Sequence, residues 1–176
     1  MSSNQEIKAS SKFEKSMDLK LNHIYTLWFH SSMDNNWNLE SYHEILQFQN
    51  VKDFFTINEC LINRPKMLLN GMFFIMKENI KPMWEDPENK EGGFISWRVE
   101  KEDVNSIWEN LCALFMTGSF TELDKYGLNG ISISPKKNTN IIKLWIKNKI
   151  TEEELKNINL PNECIFKDEL KLFKGY

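Results

Sequence analysis

The chain has 176 residues, with 22 Lys+Arg against 25 Asp+Glu for a formal charge of −3, and 41% hydrophobic and 27% charged residues. That is the composition of one soluble globular domain large enough to bury a core. The charge balance excludes a surface that coats nucleic acid broadly but permits a small site for one nucleotide, and no apolar run is long enough to span a bilayer or to serve as a secretory signal.

Residues 1–18 are polar and aperiodic and read as a disordered tail ahead of a single domain over 19–176. The stretch 22–29, NHIYTLWF, is aromatic and branched and reads as a strand. A polar loop, 30–38, carries Trp37, and 41–48 reads as a second strand. Residues 51–62 place Val51, Phe54, Phe55, Asn58 and Leu61 at helical spacing. After a turn at Asn70-Gly71, 72–77 reads as a buried strand. The loop KPMWEDPENKEGG, 81–93, precedes an alternating strand, 94–100, with Phe94, Ser96 and Arg98 on one face and Ile95, Trp97 and Val99 on the other. Asp103 is positioned to cap a helix whose apolar stripe is Val104, Ile107, Trp108, Leu111, Leu114 and Phe115. Strands at 127–135 and 140–147, a capped helix at 151–157 and a last strand around 163–173 complete an α+β domain, with an antiparallel sheet carrying its helices on one face.

Cys60, Cys112 and Cys164 lie far apart, without metal or disulfide spacing, and read as reduced thiols in a cytosolic protein. His23, His30 and His43 show neither ligand nor nucleophile-partner spacing. Arg64 and Arg98 are the only arginines; the bias to lysine, asparagine and isoleucine points to an AT-rich coding sequence.

Two tryptophans, Trp37 and Trp84, sit in polar loops, where the hydrophobic effect would not leave them without a reason. A lone loop tryptophan is most often an anchor tucked against the core. Two of them facing each other form a slot for a flat ring, where stacking a base contributes roughly 1–3 kcal/mol, and a cationic ring adds about 0.5–2 kcal/mol. Glu85, next to Trp84, accepts hydrogen bonds only. It matches the adjacent N1–H and N2–H₂ donors of guanine, which adenine lacks, and complements a positively charged purine such as N7-methylguanosine.

In order along the chain, these residues resemble the eukaryotic translation initiation factor 4E family of mRNA cap-binding proteins. The pattern stands here as Pro82-Met83-Trp84-Glu85-Asp86, Asn89-Lys90 and Gly92-Gly93. It is supported by Leu27-Trp28-Phe29, Asn36-Trp37, Val51-Lys52-Asp53-Phe54-Phe55, Ile107-Trp108, Asn129-Gly130 and Leu144-Trp145, across residues 19–147. The resemblance implies a single curved antiparallel sheet of about eight strands, about three helices on its convex face, and a cap pocket on the concave side. It implies that Trp37 and Trp84 sandwich the methylated base, that Glu85 reads the guanine edge and that Trp145 approaches the methyl group. Trp28, Trp97 and Trp108 fit core positions better.

The departures concern the phosphates and the partner surface. Where the family places an arginine after Gly-Gly, this chain has Phe94, which is left to pack beside the first transcribed nucleotide. Lys136, Lys137 and Arg98 are the expected phosphate cations, with point charges at the lysines in place of bidentate forks. On the convex face the family binds a helix of scaffold factor 4G. The corresponding residues here are Val51, Phe55, Trp108 and Asn110, which imply a 4G-like or cognate helical partner. The shortened, lysine- and asparagine-rich chain fits a diverged, virus-encoded member acting in the cytoplasm. No cofactor and no membrane partner is implied. The alternative reading is a cap-binding repressor of the same fold. A decapping hydrolase is set aside because the metal-holding Nudix helix is missing, so the chain is read as no enzyme, and an interaction module with a dead pocket is disfavoured because Trp37, Trp84 and Glu85 are all present.

Overall fold

The computed structural model describes residues 18–64, 67–158 and 171–174. Its elements run β1 (Lys20–Ser31), β2 (Tyr42–Asn50), α1 (Val51–Asn63), α2 (Met67–Asn70), β3 (Gly71–Lys77), β4 (Gly93–Glu100), α3 (Val104–Met116), α4 (Thr121–Asp124), β5 (Leu128–Pro135), β6 (Thr139–Ile146), α5 (Glu152–Asn157) and β7 (Lys171–Lys174), with a 3-10 turn at Leu39–Ser41. The strands form one sheet in the order β2-β1-β3-β5-β6-β4-β7, every neighbouring pair antiparallel. Seven strands among the described residues take the place of the eight expected. The expected tail falls almost entirely outside those residues, as does most of the expected last strand, and so does Cys164. Cys60 and Cys112 are free thiols.

Period-two alternation sorts the side chains onto two faces. Tyr25 and Leu27 of β1, Phe73 and Ile75 of β3, Ile95, Trp97 and Val99 of β4, Ile131 and Ile133 of β5, and Ile142 and Leu144 of β6 point to one side. There they meet Phe54, Ile57 and Leu61 of α1 and Trp108, Leu111 and Phe115 of α3 in the main core. The intervening residues Trp28, Met72, Phe74, Met76 and Trp145 form a separate cluster on the opposite face, which Trp84 joins from its loop. Trp28, Trp97 and Trp108 are thus all buried, but Trp28 supports the second face and not the main core.

Local signals account for most element ends. Asn50 caps α1, its side-chain oxygen accepting from the Asp53 amide at 2.7 Å. Thr151 and Glu154 form a capping box at α5. Asp103 precedes α3, but its side chain makes no capping bond; its carbonyl instead accepts from the Ser106 hydroxyl at 3.0 Å. The expected turn at Asn70-Gly71 is the exit of the helical turn α2, and α4 is a further single turn that apolar periodicity does not reveal.

The helix-covered face corrects one expectation. Trp108 is completely buried, so it has no surface to offer a partner and acts as a core residue alone. Phe55 and Asn110 are exposed, and Val51 is half-buried. An apolar cavity of about 450 Å³ is lined from α1 and strands β1 to β3 by residues including Phe29, Ile45, Ile57, Leu61 and Phe73. None of the four expected partner residues lines it. Trp108→Ala is expected to lower stability by about 3–5 kcal/mol, read as a fall in the urea midpoint at unchanged m value. Asn110→Ala is expected to stay within about 0.5 kcal/mol of the parent.

Candidate functional site

The loop between β3 and β4 is held by side chains that its sequence does not advertise as structural. Asp86 accepts from the Lys81 amide through Oδ2 at 2.8 Å and from the Glu88 amide through Oδ1 at 2.9 Å. Its carbonyl accepts from the amides of Asn89 and Lys90 at 2.9 and 3.0 Å. Asn89 is 1% exposed, and its side-chain amide donates to the carbonyls of Lys81 and Met83 at 2.8 and 2.9 Å. Its oxygen accepts from Asn129 at 3.0 Å, and Asn129 also donates to the Glu88 carbonyl at 2.7 Å. Asn129 is the extra residue of a bulge in β5, because Leu128 pairs with Ile146 while Gly130 already pairs with Trp145. A bulge re-aims one side chain out of the pleat, and here it accompanies an amide that reaches the loop. Gly92 closes the loop where a Cβ would overlap the Ile146 carbonyl oxygen, so only glycine fits that close approach.

Within this frame Asp86 and Asn89 are spent on the backbone, whereas Trp84 and Glu85 face outward. Trp84 is half-buried, its ring 5.4 Å from those of both Phe94 and Trp145. Glu85 is exposed at the rim.

Trp37 reaches the same space from the loop after β1. Two acidic or amide side chains and one serine hydroxyl shape that loop. Asp34 accepts from the Asn36 amide at 2.8 Å, Asn36 accepts from the Asn38 amide at 2.9 Å, and the Asn38 carbonyl accepts from the Ser41 hydroxyl at 2.8 Å. The indole, 52% exposed, lies flat on the imidazole of His30, with centroids 4.4 Å apart and planes 3° apart. His30 is fully buried; its Nε2 donates to the Asn36 carbonyl at 2.8 Å. One indole face is therefore occupied by a rigid platform.

Trp37, Trp84, Glu85, Trp145 and Lys136 all line one cavity of about 290 Å³, together with Tyr42, Phe74, Ser132, Ser134 and Lys143. Trp145 forms part of its floor, fixed by an Nε1–H bond to the Ser132 hydroxyl at 2.9 Å. The Tyr42 phenol has its pKa pushed up to about 12 by burial and by the nearby Glu85 carboxylate, so it stays protonated as a neutral donor. The cavity has an acidic rim at Glu85 and a basic side at Lys136 and Lys143.

The other expected phosphate cations are placed elsewhere. Lys137 is exposed in the β5–β6 turn, and its carbonyl accepts from Lys101 Nζ at 2.8 Å. Arg98 is exposed on β4, opposite Ile141. It lies four residues, or about 13 Å, along the strand from Phe94. Neither lines the cavity. Phe94 is 8% exposed, packed against Trp84 and covered by the Lys143 ammonium, so it offers no open face to a nucleotide. Sequence reasoning missed Tyr42, His30 and Lys143. For Lys143 the signal was present: it lies two residues before Trp145 and therefore on the same face of β6.

A family model described as eukaryotic initiation factor 4E matches residues 20–172. Among curated relatives, eukaryotic translation initiation factor 4E1 of Drosophila melanogaster is 27% identical over 139 residues, covering 76% of this chain and 52% of that protein. The factor 4E of Candida albicans is 28% identical over 158 residues, covering 84% and 73%. The chain thus spans about half the length of the first and nearly three-quarters of the second. Solved structures with the same fold include schistosome eIF4E complexed with m7GpppG and 4E-BP, at a TM-score of 0.72 and 17% identity over 88% of this chain and 87% of that one. Ascaris suum eIF4E-3 with m7G cap aligns at a TM-score of 0.69 and 21% identity over 81% of each chain.

The loop frame makes its own prediction. Asn89→Ala leaves the Lys81 and Met83 carbonyls and the Asn129 amide short of partners, at a cost of about 1–3 kcal/mol. Amide exchange across residues 81–92 is expected to accelerate more than exchange in β3 or β6.

Proposed function

Because the chain belongs to the eukaryotic initiation factor 4E family, we propose that it binds the 7-methylguanosine cap of mRNA and delivers capped mRNA to translation initiation in the cytoplasm. The observation that carries this reading is the convergence of Trp37, Trp84 and Glu85 on one cavity from two separate loops. The free face of Trp37 and the ring of Trp84 take the base between them. Its positive charge is stabilised by both indole faces and by the Glu85 carboxylate, which accepts from guanine N1–H and N2–H₂. Trp145 closes the floor toward the methyl group. Lys136 lies on the basic side and meets the triphosphate. The activity is binding without turnover: the site offers flat rings, hydroxyls, one carboxylate and cations.

On the helix-covered face, a scaffold helix of the 4G type docks across α1 at Val51 and Phe55 and reaches Asn110 of α3. Trp108 supports that surface from within the core.

The decisive experiment is competition on purified protein held by a 7-methyl-GTP resin. Free 7-methyl-GTP is expected to elute it and GTP to leave it bound; equal elution by both would defeat the cationic-slot reading. Glu85→Ala loses charge-assisted bonds contributing roughly 1.5–3 kcal/mol each. It is expected to weaken resin binding by at least about tenfold.

A further inference from the structure

Lys143 is the one lysine of the cavity that sits within the sheet and not on a loop. On the helix-free face it occupies a cross-strand row, opposite Ser132 of β5 on one side and Ser96 of β4 on the other. Its ammonium lies 3.9 Å from the centroid of the Phe94 ring. Among the described residues no carboxylate forms an ion pair with it. Lys136 from the β5–β6 turn is its charged neighbour; the cavity that Lys143 lines also takes Glu85 from the 81–92 loop and Tyr42 from β2, and Arg98 stands two residues beyond the cross-strand partner Ser96 on β4. β5 presents only the hydroxyls of Ser132 and Ser134. Burial, and secondarily the nearby Lys136, hold the Lys143 pKa down at about 8.

A half-buried ammonium beside a second cation, with an aromatic face as its partner, is destabilised until an anion arrives. Phe94 occupies the position after Gly92-Gly93, and its ring supports the lysine that projects from the neighbouring strand. We propose that Lys143, seated on Phe94, is the principal phosphate-binding cation of this site, and that the triphosphate of the ligand binds together with a proton on Lys143. This rests on the cap reading above and names its phosphate determinant. Lys136 assists from the turn.

The sign follows from linkage. An anion raises the Lys143 pKa in the complex above its value in the free protein. The phosphate contribution is therefore fully present below about pH 8, declines as the pH climbs past the free-state value, and is lost above the bound-state value. Arginine at the same place stays charged throughout.

The test titrates the wild type, Lys143→Met and Lys143→Arg with 7-methyl-GTP and with the nucleoside 7-methylguanosine, following tryptophan fluorescence at about pH 7.5 and about pH 9.5. The readout is the ratio of the two affinities, in which ionisation of the methylated base cancels. At the lower pH, Lys143→Met is expected to weaken 7-methyl-GTP binding about tenfold and to leave the nucleoside unchanged. With rising pH the wild-type ratio falls and the Lys143→Arg ratio stays flat. If the wild type binds both ligands and Lys143→Met keeps its ratio, the assignment of Lys143 is overturned and the cap reading stands. If the wild type binds neither, both are overturned. Should Lys143→Met lose the nucleoside as well, the arginine variant decides, and a fall equal to that of the wild type overturns the proposal.

Discussion

The site depends on the pair of buried amides, Asn89 and Asn129, that ties the β3–β4 loop to the sheet. A loop carrying two prolines and a run of charges would otherwise wander. Three carbonyls of the loop and one side-chain oxygen are answered by these two residues, and the Asp86 carboxylate answers two of its amides. The Asn129–Asn89 bond is buried and the others are partly buried, so leaving them unmade is costly. With the backbone so held, Trp84 needs no burial of its own to be ordered. It rests on Trp145 and Phe94 and keeps a face toward the cavity.

The second wall is built by a different device. The residues of the loop bearing Trp37 are exposed, and side-chain-to-backbone turns give it its shape. Its indole is ordered by stacking on His30, which is itself locked by a bond to the same loop. A ring whose inner face is already covered loses little freedom when a second ring covers its outer face. That pre-organisation lowers the entropic cost of binding.

Charge is distributed along the cavity in a way that suits a ligand positive at its base and negative at its phosphates. Glu85 stands near the neutral phenol of Tyr42, and Lys136 stands near Lys143. With Phe94 where the family resemblance implies an arginine after Gly92-Gly93, the basic side is built differently: an aromatic ring on β4 supports an ammonium from β6. One lysine cannot reproduce the two-pronged grip of a guanidinium, but it gains a dependence on protonation.

Much of this was legible in the sequence. Alternation set Ile95, Trp97 and Val99 on one face, which is the core face, and the spacing of Phe54 and Leu61 marked the buried side of α1. The two loop tryptophans with Glu85 were conspicuous because apolar rings stood among acids and prolines. Such readings succeed because periodicity and turn chemistry are local. Three matters were settled only by tertiary structure. Trp108 could have faced a partner or the core, and the packing of α3 on the sheet sent it wholly inside. Arg98 shares a strand face with Phe94 but does not line the cavity, whereas Lys143 of the neighbouring strand lines it and lies over the Phe94 ring. His30 showed no partner in the sequence, because stacking under Trp37 depends on how a loop folds back. Cross-strand register, bulges and loop closure join residues far apart in the chain, and no local pattern encodes them.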